Sequence, residues 1–367
     1  MKILEVTFYL QAGGAERFIV DLSNELSKEH NVTLLTLKDD SPEYPKLQFY
    51  KSELLPEVRY KNLGMPKGYS IKMLWNVYKA IKSENPDVVH MHVAGVPMYC
   101  ILAIMLLGKK VKFYQTIHSD IRNGYDSLFY RFFISIFGNL KVVGFAALSQ
   151  KNHDDFCKLY PNAKSACIVN GRADIKPTVQ FPSVQQELNH LKKSSNSIVY
   201  LHVARCCEVK NQSLLVNCFN RLIEEGYLAD LFIIGQDYDT ELGINLKAKS
   251  CDRIHFLGTR KNIADYMLAS DVFCLSSRFE GMPITMIEAT LAGKPIVSTP
   301  VCGALEVIKD RKNGIKSIDY TEQSYYEALK YSYDHCSELL STAAIHNQNS
   351  PYTIKECAIK YINFFKI

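Results

Sequence analysis

Short apolar runs alternate along this chain with longer amphipathic segments. ILEVTF (3–8) is followed by AERFIVDLSNELSK (15–28) and NVTLLTL (31–37), then by DVVHMHV (87–93), VKFYQTIH (111–118), GFAALS (144–149) and SACIVN (165–170). After a polar stretch the alternation restarts with SIVYLHVA (197–204), SLLVNCFNRLIEEG (213–226), DLFIIG (230–235), RIHFLG (253–258), NIADYMLAS (262–270), DVFCLS (271–276) and KPIVST (294–299). Strand-like runs with so little polar alternation belong to parallel sheets covered on both faces, and helices between them supply the cover. The pattern predicts an α/β protein of two doubly wound, Rossmann-like domains facing a central cleft, with ligands beyond the carboxyl ends of the strands. The break falls within ADIKPTVQFPSVQQ (173–186), which has two prolines and few aliphatics. This divides the chain into 1–175, 176–345 and a terminal segment, 346–367. Within the last, YTIKECAIKYINFFKI (352–367) has a helical period and reads as a packed terminal helix; the pattern does not say on which domain.

Composition changes this picture little. A length of 367 residues suits two cores, and 47% hydrophobic with 22% charged residues is the balance of a globular protein. The most apolar stretch, VPMYCILAIMLLG (96–108), is too short to span a bilayer, and MKILEVTFYL reads as a first strand rather than a cleaved leader. Eleven cysteines contain no CxxC pair, and the adjacent Cys206 and Cys207 are badly placed to bridge each other. A reducing, cytoplasmic setting is therefore expected, without a disulfide framework or zinc site. Residues 1–175 carry 22 Lys and Arg against 17 Asp and Glu, whereas the remainder carries 21 of each. The basic excess thus lies wholly in the first half, where it suits an anionic membrane surface, a phosphorylated acceptor or an ordinary solvated face.

The most informative chemistry is in RFEGMPITMIE (278–288), where Glu280 and Glu288 stand eight positions apart. Pro283 suits the first turn of a helix and Gly293 the residue just past its end. Glu280 then lies on a loop, Met282, Pro283 and Ile284 form a helix N-terminus rich in free N–H groups, and Glu288 lies about a turn inside. Two acids beside an anion-ready helix end suit a ligand with hydroxyls next to phosphate, which describes a nucleotide sugar. In HVARCCEVKNQSLL (202–215), Arg205 and Lys210 lie between a strand and a helix, where a planar fork and a point charge suit a diphosphate. As isolated loop charges they are equally well explained as solvated. The loop YLQAGGAERF (9–18) places Gly13 and Gly14, able to take positive φ, before a helix. Without a GxGxxG spacing, a dinucleotide reading through Asp39 and Asp40 is unsupported. His118 ends a strand, pointing into the cleft or merely structural; His92, similarly placed with weaker neighbours, is left as structural or peripheral. Asp237-Tyr238-Asp239 is a D-x-D string, but two lone carboxylates rarely hold a metal, so no metal is expected.

Together these segments resemble the retaining glycosyltransferases of family 4, which have the GT-B fold. GGAER, TIH, ALSQKNHDDF, IVNG, ARCCEVKNQSLL, RIHFLG, SRFEGMPITMIEATLAGKPIVST and CGALE run in the family's order over roughly residues 1–315. The E-x7-E segment carries most of the specificity, and its wording resembles members that build bacterial surface polysaccharides. The resemblance implies that Arg205 and Lys210 hold the donor diphosphate, helped by Gly14 and the N–H groups near Met282, Pro283 and Ile284. It assigns Glu288 to the ribose, Glu280 to the transferred sugar, His118 to the sugar hydroxyls and reacting centre, and His255, Phe256 and Leu257 to the nucleobase. It also implies that the terminal helix crosses back to the first domain. Three departures stand out: Ala204 replaces the usual glycine before Arg205, GQDYD replaces a Gly-Asp-Gly-like turn, and NGIKSIDY follows CGALE in place of the usual apolar stretch.

The implied reaction transfers a hexose-type sugar, with retention and without a metal cofactor, from a UDP- or GDP-sugar to a hydroxyl of a glycan or lipid-linked acceptor. The apolar, basic-ended segments 96–112 and 127–141 suggest peripheral contact with the inner membrane face, against the alternative of two buried helices. No nucleic-acid partner is expected. The competing readings are a GT-B nucleotide-sugar hydrolase or epimerase, and a non-catalytic nucleotide-sugar-binding subunit.

Overall fold

The computed structural model describes residues 1–38, 45–66, 68–122, 128–348 and 350–366, with the side chains of 45 and 46 left aside. Asp39 and Asp40 lie outside the described residues. The chain forms two compact units, Met1–Ala173 together with Tyr352–Ile367, and Asp174–Pro351.

The first unit is built on seven parallel strands: β1 (Lys2–Thr7), β2 (Asn31–Lys38), β3 (Arg59–Met65), β4 (Val88–His92), β5 (Lys112–Ile117), β6 (Val143–Ala147) and β7 (Ser165–Cys167). Their order is β3-β2-β1-β4-β5-β6-β7, so the chain reverses direction across the sheet between β1 and β4. The second unit has six: β8 (Ile198–Val203), β9 (Ala229–Ile234), β10 (Ile254–Gly258), β11 (Val272–Leu275), β12 (Ile296–Ser298) and β13 (Gly314–Lys316). Their order is β10-β9-β8-β11-β12-β13, with the reversal between β8 and β11. Such reversals open a crevice at the carboxyl ends of the strands, where open α/β sheets bind ligands. Both sheets confirm the doubly wound α/β pattern.

β3 and β13 escape the hydrophobic pattern. β3 is an edge strand whose residues are mostly exposed or half-buried, so RYKNLGM needs no apolar run. β13 has only three residues and is the opposite edge of its sheet. Within the stretch expected to link the domains, Phe181–Leu191 is a helix of the second unit, burying Val184 and Leu188. The expected division after 345 also moves. The helix Cys336–Asn347 belongs to the second unit, where Cys336 and Leu339 join the core cluster and Asn313 donates to Asn347.

The chain returns to the first unit through a short parallel bridge between Arg172 and Thr353. Gly171 permits the approach: a Cβ there would lie 2.4 Å from the Thr353 carbonyl oxygen. The helix Ile354–Lys366 then buries Ile354, Cys357, Ala358, Tyr361, Phe364 and Phe365, an apolar stripe with helical spacing. Its last carbonyls, which have no partner within the helix, accept from the sheet. Lys112 Nζ donates to Lys366 O at 3.0 Å and Tyr114 OH to Phe365 O at 3.2 Å.

Phe365, 1% exposed, packs against Tyr114 and His90. Phe365→Ala is expected to cost about 3–5 kcal/mol, read by urea unfolding of the full chain. A loss below about 1 kcal/mol would contradict this packing.

Candidate active site

In the second unit, two loops leave the carboxyl ends of the paired strands β8 and β11 and are sewn together. Arg278 N donates to Val209 O at 2.8 Å, and Ser276 Oγ to Lys210 O at 2.9 Å. Thr299 Oγ1, after β12, anchors the Ser277 carbonyl at 2.6 Å. These bonds bring Lys210 and Glu280, 70 positions apart, into a salt bridge, and Ser277 Oγ donates to the same carboxylate oxygen at 2.8 Å. Both side chains keep partial access to solvent. Arg205 is exposed, its carbonyl held by Gln212 Nε2 at 2.8 Å and its guanidinium without an ion-pair partner among the described residues. Beneath the pair lies His202, which pattern reading missed because it sits inside an apolar strand. It is fully buried, and its Nδ1 meets Cys274 O at 2.9 Å. Burial, reinforced by the Lys210 charge, lowers its pKa to about 4, so the ring beneath the site is neutral.

The helix Ile284–Leu291 follows at once. Pro283 is its N-cap, with φ −64° and ψ 127°, one residue before the expected first-turn position. A proline side chain accepts no hydrogen bond, so the helix start has no side-chain cap. The N–H groups of Ile284, Thr285 and Met286 have no acceptor among the described residues. Glu288 lies a turn inside and is 3% exposed. Gly293, with φ +70°, ends the segment as expected; its N–H meets Thr290 O at 3.0 Å and Lys294 N meets Ala289 O at 2.9 Å.

In the first unit, Gly13 and Gly14 open the helix Gly14–Ser27, but neither has a positive φ; Gly13 is extended, with φ −154°. The Glu16 carboxylate folds back so closely that a Cβ on Gly13 would stand 2.3 Å from its oxygen. Beyond β5, half-buried His118 meets His92, the last residue of β4, through Nε2 and Nδ1 at 3.1 Å. His92 Nε2 in turn meets Glu5 Oε2 at 2.5 Å, and His90 Nδ1 lies 2.9 Å from that same oxygen. His90 Nε2 meets Thr116 Oγ1 at 2.8 Å, and Thr116 meets Tyr361 of the terminal helix at 2.7 Å. His92 is therefore no peripheral residue. The available signals were a lone glutamate within the apolar run ILEVTF and two histidines spaced to share one face of DVVHMHV.

Two family profiles match this chain: Glycosyltransferase Family 4 over residues 12–172 and Glycosyl transferases group 1 over residues 183–335. The chain belongs to glycosyltransferase family 4. An Escherichia coli UDP-Gal:alpha-D-GlcNAc-diphosphoundecaprenol alpha-1,3-galactosyltransferase is 24% identical over 331 residues, covering 86% of this chain and 83% of that protein. A Campylobacter jejuni alpha-1,4-N-acetyl-D-galactosaminyltransferase, named for an undecaprenol-linked acceptor, is 23% identical and covers 86% and 84%. Among solved structures, Anabaena HepE in complex with UDP and glucose superposes with a TM-score of 0.82 at 17% identity, covering 100% of this chain and 99% of that one. That likeness identifies the fold as GT-B.

Of the residues expected to form the glycosyltransferase's site, the structure joins Lys210 directly to Glu280, with Arg205, Met282, Pro283 and Ile284 on the same two loops or the helix start. It gives two others, His255 and Phe256, partners within the fold. The His255 ring is held by buried Asp230 at 2.9 Å and stacked on Phe232, near the amino end of β10 and away from the carboxyl edge. Phe256 packs on Tyr238, and only Leu257 and Gly258 reach the carboxyl end of the strand. His255 and Phe256 therefore have structural partners of their own, for a simple reason: alternate residues of a strand face opposite sides, and position along it decides which edge they reach. Asp237 and Asp239 flank Tyr238, whose buried ring anchors the turn through its hydroxyl to Ala204 O at 3.2 Å.

Protonation links the first-unit cluster to stability. Burial pushes His92 down to about 4 and His118 well below the usual 6.5. For Glu5, burial opposes ionisation, but His90 and His92 outweigh it and hold the carboxyl at about 2. Both histidines bind protons more readily when the chain is unfolded, so their contribution is present above pH 6.5 and is lost as pH falls towards 4. Glu5 adds a second loss between its ordinary 4.5 and about 2. The melting temperature is expected to fall from pH 7 to pH 4 in wild type, and less steeply in His92→Phe; equal slopes would refute this assignment.

Proposed function

We propose that this glycosyltransferase moves a hexose-type sugar from a UDP- or GDP-sugar to a hydroxyl of a glycan or lipid-linked acceptor, with retention of the anomeric configuration. The pathway we assign it to is the assembly of a bacterial surface polysaccharide: capsule, O-antigen or exopolysaccharide. The observation that carries this reading is the Lys210–Glu280 pair beside exposed Arg205 and the uncapped start of the helix Ile284–Leu291. Cationic groups and free N–H donors suit a diphosphate, and buried Glu288 a turn inside suits ribose hydroxyls. Glu280 then serves the sugar and His118 its hydroxyls. The relatives support the donor and acceptor classes, since one is named for UDP-Gal and a diphosphoundecaprenol-linked acceptor and one neighbour holds UDP with glucose.

In this mechanism the anomeric C–O bond breaks with its electron pair going to the leaving diphosphate. Arg205, Lys210 and the helix N-terminus stabilise the charge that develops there. The acceptor hydroxyl attacks from the same face, and its proton passes to the departing phosphate oxygen. Glu280 stabilises the positive character of the sugar. The reaction is assigned no resident metal, and activity abolished by EDTA would overturn that.

A peripheral membrane role is part of the same proposal. No helix among the described residues is long and apolar enough to cross a membrane. Leu128, Phe129 and Phe132 are 79%, 77% and 66% exposed around Arg131, on a helix whose other face buries Tyr130 and Phe133. An aromatic, basic face of this kind suits the interface of an anionic bilayer. By contrast, the helix Val96–Leu107 buries half of its residues and exposes only Met105 and Leu106 strongly.

Thermal-shift screening of UDP-, GDP- and ADP-sugars tests the donor class: one base is expected to raise the melting temperature, and no stabilisation by any would refute the reading. Lys210→Ala is expected to lower kcat on the order of 100-fold with product stereochemistry unchanged. Glu280→Ala is expected to lower transfer, and full transfer by that variant would refute the role given to Glu280. In cell fractions, the protein is expected with membranes at low salt and released at high salt; recovery in the soluble fraction at low salt would sink the membrane role.

A further inference from the structure

We propose that Glu5 and His92 are positioning residues that fix the tautomer of His118, so that its Nδ1 faces a ligand as a hydrogen-bond acceptor. The proposal rests on the assignment of His118 to a sugar hydroxyl. Glu5 sits mid-sheet on β1 and is fully buried; as a carboxylate it can only accept. His92 Nε2, 2.5 Å from Glu5 Oε2, must therefore carry the proton. A neutral imidazole holds one N–H, which leaves His92 Nδ1 as a lone pair. That lone pair faces His118 Nε2 at 3.1 Å, so His118 carries its proton on Nε2. The Nδ1 of His118 is left unprotonated, with no hydrogen-bond partner among the described residues, on a half-buried ring at the carboxyl edge of the sheet.

On the other arm, His90 Nδ1 lies 2.9 Å from Glu5 Oε2 without hydrogen-bond geometry, its Nε2 meets Thr116 Oγ1 at 2.8 Å, and Thr116 meets the Tyr361 hydroxyl at 2.7 Å. Both arms converge on the same oxygen of Glu5, and His92 is the one that bonds to it. Phe18 locks the rings sterically, 5.8 Å from His118 and 6.3 Å from His92. The consequence is selectivity by hydrogen-bond sense: an acceptor at Nδ1 favours a hydroxyl and repels a phosphate oxygen.

Glu5, His90 and His92 also have the donor types of a metal site, their ligand atoms lying within 4.8 Å of one another. The 2.5 and 2.9 Å separations are hydrogen-bond lengths. Ligands about 2.0–2.2 Å from a shared tetrahedral ion would stand farther apart.

The direct test is a nitrogen NMR spectrum of the purified protein carrying isotope-labelled histidine, with His118 assigned by comparison with His118→Ala. The expected wild-type spectrum shows His118 protonated on Nε2 alone at neutral pH, and Glu5→Gln shows a mixture of tautomers. His118 protonated on Nδ1 in wild type would overturn the proposal, as would one equivalent of tightly bound zinc that His92→Asn abolishes. In transfer assays Glu5→Gln is expected to lower kcat on the order of 100-fold with donor KM within threefold; an unchanged kcat overturns the positioning role. If Glu5→Gln does not fold, the wild-type spectrum and metal content still decide. Should the tautomer be as stated while His118→Ala transfers sugar at the wild-type rate, the relay stands and the assignment of His118 to the sugar fails.

Discussion

A negative charge at the centre of a sheet has to be met by donors from the same interior, and in the first unit that charge belongs to Glu5. It sits on β1 at the point where strand order reverses, with His90 as its register partner on β4. An unpaired buried carboxylate would cost several kcal/mol or neutralise itself. The face of the sheet over Glu5 is accordingly built from histidines and hydroxyls in a line, with Phe18 from one helix and Tyr361 and Phe365 from another closing them off from water. His118, strands β4 and β5 and the terminal helix are linked to this one carboxylate through His92, His90, Thr116 and Tyr361.

The second unit solves a different problem at its own reversal point. There the charges lie at the edge, half in solvent, and are organised by backbone rather than by burial. Two loops hydrogen-bond to each other, and the side chains of Lys210 and Glu280 meet as a result. Neutral His202 beneath them keeps the floor of the site free of competing charge. The uncapped helix start beside the pair adds donors without adding a mobile side chain.

Much of this was legible in the chain. Largely buried strands leave continuous apolar runs, which is why eleven of the thirteen were visible; β3 is a mostly exposed edge and β13 is only three residues long. The helix after Glu280 could be bracketed because proline and glycine have distinct backbone needs, although Pro283 proved to be the cap rather than the first turn. Arg205, Lys210 and Glu280 were recognisable from their place after strands. Glu5 and His92 were not, because the contact joining them spans 87 positions and exists only once β1 and β4 are neighbours. The contact of His255 with buried Asp230 was hidden for a related reason, since it joins residues 25 positions apart on neighbouring strands.

The discontinuity of the first unit also bears on how the protein is made. Its sheet is complete by residue 167, yet the helix that covers it begins at 354, after the whole second unit. A chain growing from the ribosome at about 5–20 residues per second therefore carries an unfinished first unit while the second is being synthesised. During that interval the face around His90, Tyr114 and Thr116 lacks Tyr361 and Phe365, so the order of synthesis makes the domain that starts first the one that closes last.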